Sequence, residues 1–135
     1  QLNHLAISQK YGVLIKSQKG YVPPPLEGIW ARWPYFHNNS IPNLCALMTP
    51  PELRPKKYYS GEANNTSTDF DFDCNGYPLG TKTPSVWKKK QFLFNTQNPG
   101  LSNLGHYQKI FLSETGQEKF SAQDKKDLIH YLQTL

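Results

Sequence analysis

The chain has 135 residues, a net charge of +5 and a mean hydropathy of -0.66, with 37% hydrophobic residues, 11 prolines and 9 glycines. That length fits one domain or a large piece of one, and the prolines exclude long helices and a wide regular sheet, because each removes a backbone donor and fixes φ. No apolar run approaches the ~20 residues of a membrane-spanning helix, and the 13% aromatic content is too high for a solvated tail.

In chain order, the sequence predicts the end of a helix over Leu2–Lys10, with Leu2, Leu5 and Ala6 at helical spacing and Gly12 as the stop. Tyr11–Lys16 reads as a short extended segment. Tyr21–Leu26 is held extended by three consecutive prolines, since residues before proline avoid the α region. Ser40 is the expected N-cap of a short helix through Met48, with Pro42 in its first turn. Thr49-Pro-Pro-Glu-Leu repeats the start signal for a single turn, and Thr83-Pro-Ser-Val-Trp starts another short helix. Ser60–Thr68 and Asn98–Gly105 carry the composition of surface loops. The last element is the clearest: Ser121 caps an amphipathic helix to Leu135, with Leu128, Ile129, Leu132 and Leu135 on one face and Lys125, Lys126 and Asp127 toward solvent. The expected fold class is mainly α with much irregular structure: short helices and one C-terminal amphipathic helix, in a single unit over 1–135.

Cys45 and Cys74 lie 29 positions apart, a spacing of neither a redox CxxC pair nor a zinc set. A structural disulfide and two buried free thiols are the two readings. The disulfide is favoured, because closing such a loop stabilises by about 3–4 kcal/mol in the chain-entropy model, and it implies an oxidising compartment, periplasmic or secreted. Neither cysteine precedes a histidine, so no CxxCH haem-attachment motif is present. The lysines at 56–57, 88–90 and 125–126 fall in separate segments without interleaved aromatics, which argues for a solvated face, or a surface for an acidic redox partner, and against nucleic acid. Asp69, Asp71 and Asp73 alternate, but the EF-hand glycine and glutamate positions fall on Cys74 and Gly80, so that pattern fails.

The stretch PLEGIWARWPYFHNNSIPNL (25–44) is the most specific signal. It resembles the P-L-x-G-I-W-x-x-x-P-Y-x-H-N/D-G-S-x-P-x-L stretch of the bacterial di-haem cytochrome c peroxidase superfamily, which also holds the methylamine-utilisation haem enzyme and the rubber oxygenases. A second block, FNTQNPGLSNLGH (94–106), is similar to the F-D-T-x-x-P-G-x-S-N-x-G-H stretch of peroxidase-like and rubber-oxygenase-like members. The order Cys45, Arg54-Pro55, then Phe72-Asp-Cys74 followed by Gly-Tyr-Pro agrees as well. Asn39 stands where the family has glycine, and Asn tolerates left-handed backbone better than most residues.

The resemblance implies a partial cytochrome c-type domain: the C-terminal portion of a haem domain, with haem c attached through CxxCH on another segment or chain. It implies His106 as an axial ligand to the iron, where a surface histidine capping the loop is the alternative. It places His37, Trp30, Trp33 and Tyr35 in the haem pocket, where core packing is the alternative. Met48 does not align with the family's methionine ligand and is expected in the core, and His4 and His130 are expected to be structural or surface residues. The implied function is electron transfer or peroxidase-type chemistry. The competing one is a haem-free binding module that recognises a protein or sugar through an aromatic patch of Trp30, Trp33 and Tyr35.

Overall fold

The computed structural model describes residues 2–14, 16 and 19–135. Most of the chain is irregular, pinned by turns, short 3-10 helices and side-chain hydrogen bonds, as the proline content dictates. The helices are α1 (Ala6–Tyr11), α2 (Leu44–Leu47), α3 (Gln108–Phe111) and α4 (Ala122–Leu132). Two strands, β1 (Lys57–Tyr59) and β2 (Leu93–Asn95), pair antiparallel with Tyr58 opposite Phe94. This two-stranded ladder, joined across residues 60–92, is not among the elements the sequence predicts. Among the described residues no helix is long and apolar enough to cross a membrane.

A 3-10 turn, Leu2–His4, leads into α1, which ends where expected, at Gly12 in the left-handed region. Tyr11 belongs to α1 rather than to the extended segment expected after it, and Ile15 of that segment lies outside the described residues. Residues 21–25 carry no helix or strand, in keeping with Pro23–Pro25. The helix expected from Ser40 starts later, at Leu44, and its cap is Asn43, whose side chain accepts from the Ala46 N–H at 2.9 Å. Ser40 and Ile41 are engaged elsewhere: Ile41 exchanges both backbone hydrogen bonds with Tyr35, closing a tight turn over residues 36–40.

Helix α4 carries a full capping box, Ser121 accepting from the Asp124 N–H and Asp124 accepting from the Ser121 N–H. Ile129 enters the core, with Leu128 and Leu132 packed beside it. Lys125 departs from its expected place in solvent. It folds back over Tyr107 and Phe111, pairs with Glu118 at 2.9 Å and donates to the Met48 carbonyl at 3.0 Å. Its aliphatic stem covers apolar surface while its head finds acceptors.

The core collects Tyr35, Ile41, Leu44, Ala46, Met48, Tyr107, Phe111 and Ile129. Beside it an aromatic group runs from Phe94 through Tyr58 and Tyr77 to Trp87, with centroids 5.0–5.7 Å apart. The cysteines are joined: Cys45–Cys74 is a disulfide with Cα atoms 5.0 Å apart, tying α2 to the 71–77 turn. Asp69, Asp71 and Asp73 are spent on structure. Asp69 accepts from the N–H groups of Asn64 and Asn65, and Asp71 and Asp73 share Lys82.

Candidate functional site

The two histidine-bearing blocks of the sequence meet in space. The 36–40 turn needs left-handed backbone at Phe36 and Asn39, with φ of 66° and 58°, so asparagine performs at 39 what glycine would. Asn38 Nδ2 donates to the carbonyls of Gly100 and Ser102 at 3.0 Å each, and Ser40 Oγ donates to the Ser102 carbonyl at 3.1 Å. Tyr58 closes the turn from the other side through a 2.6 Å bond to the Asn39 carbonyl. The turn and the 98–106 loop are thereby one platform.

On it, Phe36 meets the His106 ring edge-on, with centroids 5.0 Å apart. His106 itself sits at φ 56°, is exposed, and has no hydrogen bond to either ring nitrogen among the described residues. It lines a cavity of about 990 Å³ with Pro50, Pro51, Leu104, Tyr107 and Ile110. His37 is exposed and stacked on Tyr21 at 4.3 Å. Tyr107, next to His106, turns inward and donates its hydroxyl to Glu118. Burial, with that hydrogen bond behind it, pushes the Tyr107 phenol up to about 12.

Arg54 lies beneath the platform. It is 3% exposed and donates to five backbone carbonyls, those of Ala46, Leu47, Thr49, Asn103 and Gly105. Desolvation lowers its pKa from the ordinary 12.5. Neither Arg54 nor the Tyr107–Glu118–Lys125 cluster was singled out from sequence. Arg54 stood only in a matching Arg-Pro pair, and its acceptors come from segments up to 51 residues away.

The aromatic residues divide. Trp30 is 49% exposed, whereas Trp33 is half-buried, edge-on to Tyr77 at 4.5 Å and 5.5 Å from Phe70. Tyr35 is 6% exposed and cannot belong to a surface patch. Its hydroxyl accepts from Asn75 Nδ2 at 2.6 Å, and burial raises its pKa to about 12. Trp30 and Trp33 instead share a cleft of about 700 Å³ with Phe70, Phe72 and His130. Met48 is a core residue at 4% exposure, and His4 is exposed.

Among the described residues no three His, Cys, Asp or Glu side chains gather to hold a bare metal ion. A haem iron asks less, because the macrocycle supplies four nitrogens and the protein one or two axial ligands. An imidazole free at both nitrogens, on the rim of a part-apolar cavity at the upper end of cofactor-sized sites, fits that demand.

The chain is 35% identical over 125 residues to the uncharacterized protein y4iJ of Sinorhizobium fredii, covering 90% of this chain and 19% of that protein. It is 31% identical over 126 residues to the uncharacterized protein y4iM of the same organism, covering 86% of this chain and 27% of that protein. The chain thus spans about a fifth to a quarter of the length of these relatives. No solved structure matches it. Residues 20–59, which include the 36–40 turn, match the family model described as RoxA-like, cytochrome c-like, and the chain therefore carries a cytochrome c-like segment of the RoxA-like kind.

Proposed function

We propose that this chain is the haem-pocket portion of a periplasmic or secreted c-type cytochrome, with haem c attached through CxxCH on another segment or a partner chain. The observation that carries the reading is the union of its two family-like blocks in one platform, with His106 free at the rim of the large cavity. Haem bound there would supply one-electron redox chemistry, for electron transfer or peroxidase-type reactions with a redox partner protein. His106 would hold the iron, Leu104, Ile110, Pro50 and Pro51 would exclude water, and the part-buried Phe36 ring, edge-on to the imidazole, would set its plane. His37, one residue from Phe36, adds a pocket or hydrogen-bonding group. The disulfide supports an oxidising compartment.

The test is a haemin titration of the purified chain, followed by its visible spectrum and a pyridine haemochrome assay. A low-spin Soret band that disappears in His106→Ala is the expected result. A spectrum indifferent to that substitution would refute the ligand assignment.

One observation favours a second reading, a haem-free binding module. Trp30 and Phe72, 49% and 63% exposed, open onto the 700 Å³ cleft beside His130 and Gln133. Under this reading Trp30→Ala abolishes capture of a sugar or protein ligand while haemin leaves the Soret region flat.

A further inference from the structure

We infer that Arg54 is the positioning residue for His106. The inference takes from the proposed function only that His106 is the group to be placed.

A buried guanidinium is costly unless its donors are satisfied. Arg54 is 3% exposed, and among the described residues no carboxylate lies within ion-pair distance of it. Its donors go to main-chain carbonyls on two sides. Nε reaches Ala46 and Thr49 at 3.1 and 3.0 Å, and Nη2 reaches Leu47 at 3.0 Å, all at the C-terminal end of α2, where helix carbonyls lack partners. Nη1 reaches Asn103 and, at 2.8 Å, Gly105, whose carbonyl immediately precedes His106.

The same guanidinium lies 5.5 Å from the Phe36 ring and 5.7 Å from the Tyr107 ring. Arg54 therefore fixes the peptide before His106, the ring after it and the ring against it. The loop needs such an anchor. Residues 101–105 carry no helix or strand, His106 is in left-handed backbone, and its own ring has no hydrogen bond to hold it. The anchor on the other side is α2, which the disulfide ties to the 71–77 turn. A lysine has the charge and the stem but no planar fork, so it cannot grip both sides at once.

The experiment compares the full chain with Arg54→Lys, reading ring-to-ring nuclear Overhauser effects without haem. The Phe36–His106 contact is expected to vanish in the variant while the Trp33–Phe70 and Trp33–Tyr77 contacts, which involve neither ring that Arg54 touches, persist. Haemin affinity falls about 10–100-fold, the usual cost of losing a group that orients a metal ligand. Asn103→Ala, which removes only the bond from Asn103 to the Pro55 carbonyl, leaves the Phe36–His106 contact in place. Should Arg54→Lys fail to fold, Arg54→Gln, which leaves no unpaired charge, gives the same readout. A folded Arg54 variant that retains the Phe36–His106 contact overturns the inference. If instead the contact is lost in Arg54→Lys but haemin binding never depended on His106, Arg54 positions the loop and the ligand reading alone fails.

Discussion

Gly76 offers the sharpest energetic test of this fold. Its backbone is at φ +145°, a region closed to L side chains, and a Cβ placed there would stand 2.5 Å from the Pro42 carbonyl oxygen and 3.0 Å from Asn43 Cα. Neither neighbour is free to retreat, because the Pro42 carbonyl accepts from the Tyr77 N–H, and the Asn43 side chain is held by the Ala46 N–H and the Tyr77 carbonyl. Strained backbone costs about 1–3 kcal/mol, and overpacking against atoms that cannot move adds about 1–3 kcal/mol. Gly76→Ala should therefore lose about 2–6 kcal/mol, much of the ~5–15 kcal/mol stability of an ordinary domain.

Three further glycines separate the two terms. At Gly61 a Cβ would strike the buried Trp87 ring at 2.3 Å with no unusual φ, so Gly61→Ala reports packing alone, at about 1–3 kcal/mol. At Gly100, φ is +80° with open space around it, so Gly100→Ala reports backbone alone, at about 1–2 kcal/mol. Gly105 meets neither obstacle, and Gly105→Ala should be neutral or stabilising by up to about 1 kcal/mol. Urea unfolding followed by tryptophan fluorescence measures all four against wild type. If Gly76→Ala unfolds at the same urea concentration as Gly105→Ala, the close approach at Pro42 does not exist in solution.

Replacing Cys45 and Cys74 together by alanine should cost about 3–4 kcal/mol by the loop-entropy argument, and intact mass after alkylation without reductant should show no label on wild type. In acid, stability should fall as pH drops below the ordinary carboxylate values of 4.5 and 3.8. Hydrogen bonds from Tyr107 and Lys125 hold Glu118 low, and Ser121 holds Asp124 low, so both favour folding above those values and cease to do so once protonated. Denaturant melts of Glu118→Gln across this range should show a flatter acid limb. In alkali the sign reverses: Tyr35 and Tyr107, pushed up to about 12 by burial, stabilise fully below 10 and lose that contribution as pH rises through 12. Phenolate absorbance in Tyr35→Phe and Tyr107→Phe should each lack one late-titrating group.

Local chemistry was legible in the sequence wherever a residue's partner lies close along the chain. Ser121 and Asp124 announced the α4 cap, and Gly12 announced the end of α1. Ser40 failed as a cap because Ile41 is drawn into a bridge with Tyr35, a contact the spacing of apolar residues does not encode. Lys125 read as a solvent residue from helical periodicity, yet Glu118 and the Met48 carbonyl recruit it. The strands at Lys57–Tyr59 and Leu93–Asn95 are three residues each, too short for alternation to register. For the site, the two family-like blocks named His37 and His106, but the bonds from Asn38 that join them span 62 and 64 residues. Arg54 was invisible as a hub for the same reason, since its partners are carbonyls that every residue carries.

That reliance on amide and guanidinium side chains gripping the main chain inverts the usual map of mutational tolerance. In most domains the apolar interior is the least forgiving stratum, but aliphatic residues interchange when volume is kept. Here Asn38, Asn43, Arg54 and Asn75 each make several directional bonds that no other side chain reproduces. A saturation library selected for folding should therefore show its narrowest residue choice at these four polar positions. Ile41 and Leu44, although completely enclosed, should accept a wider set.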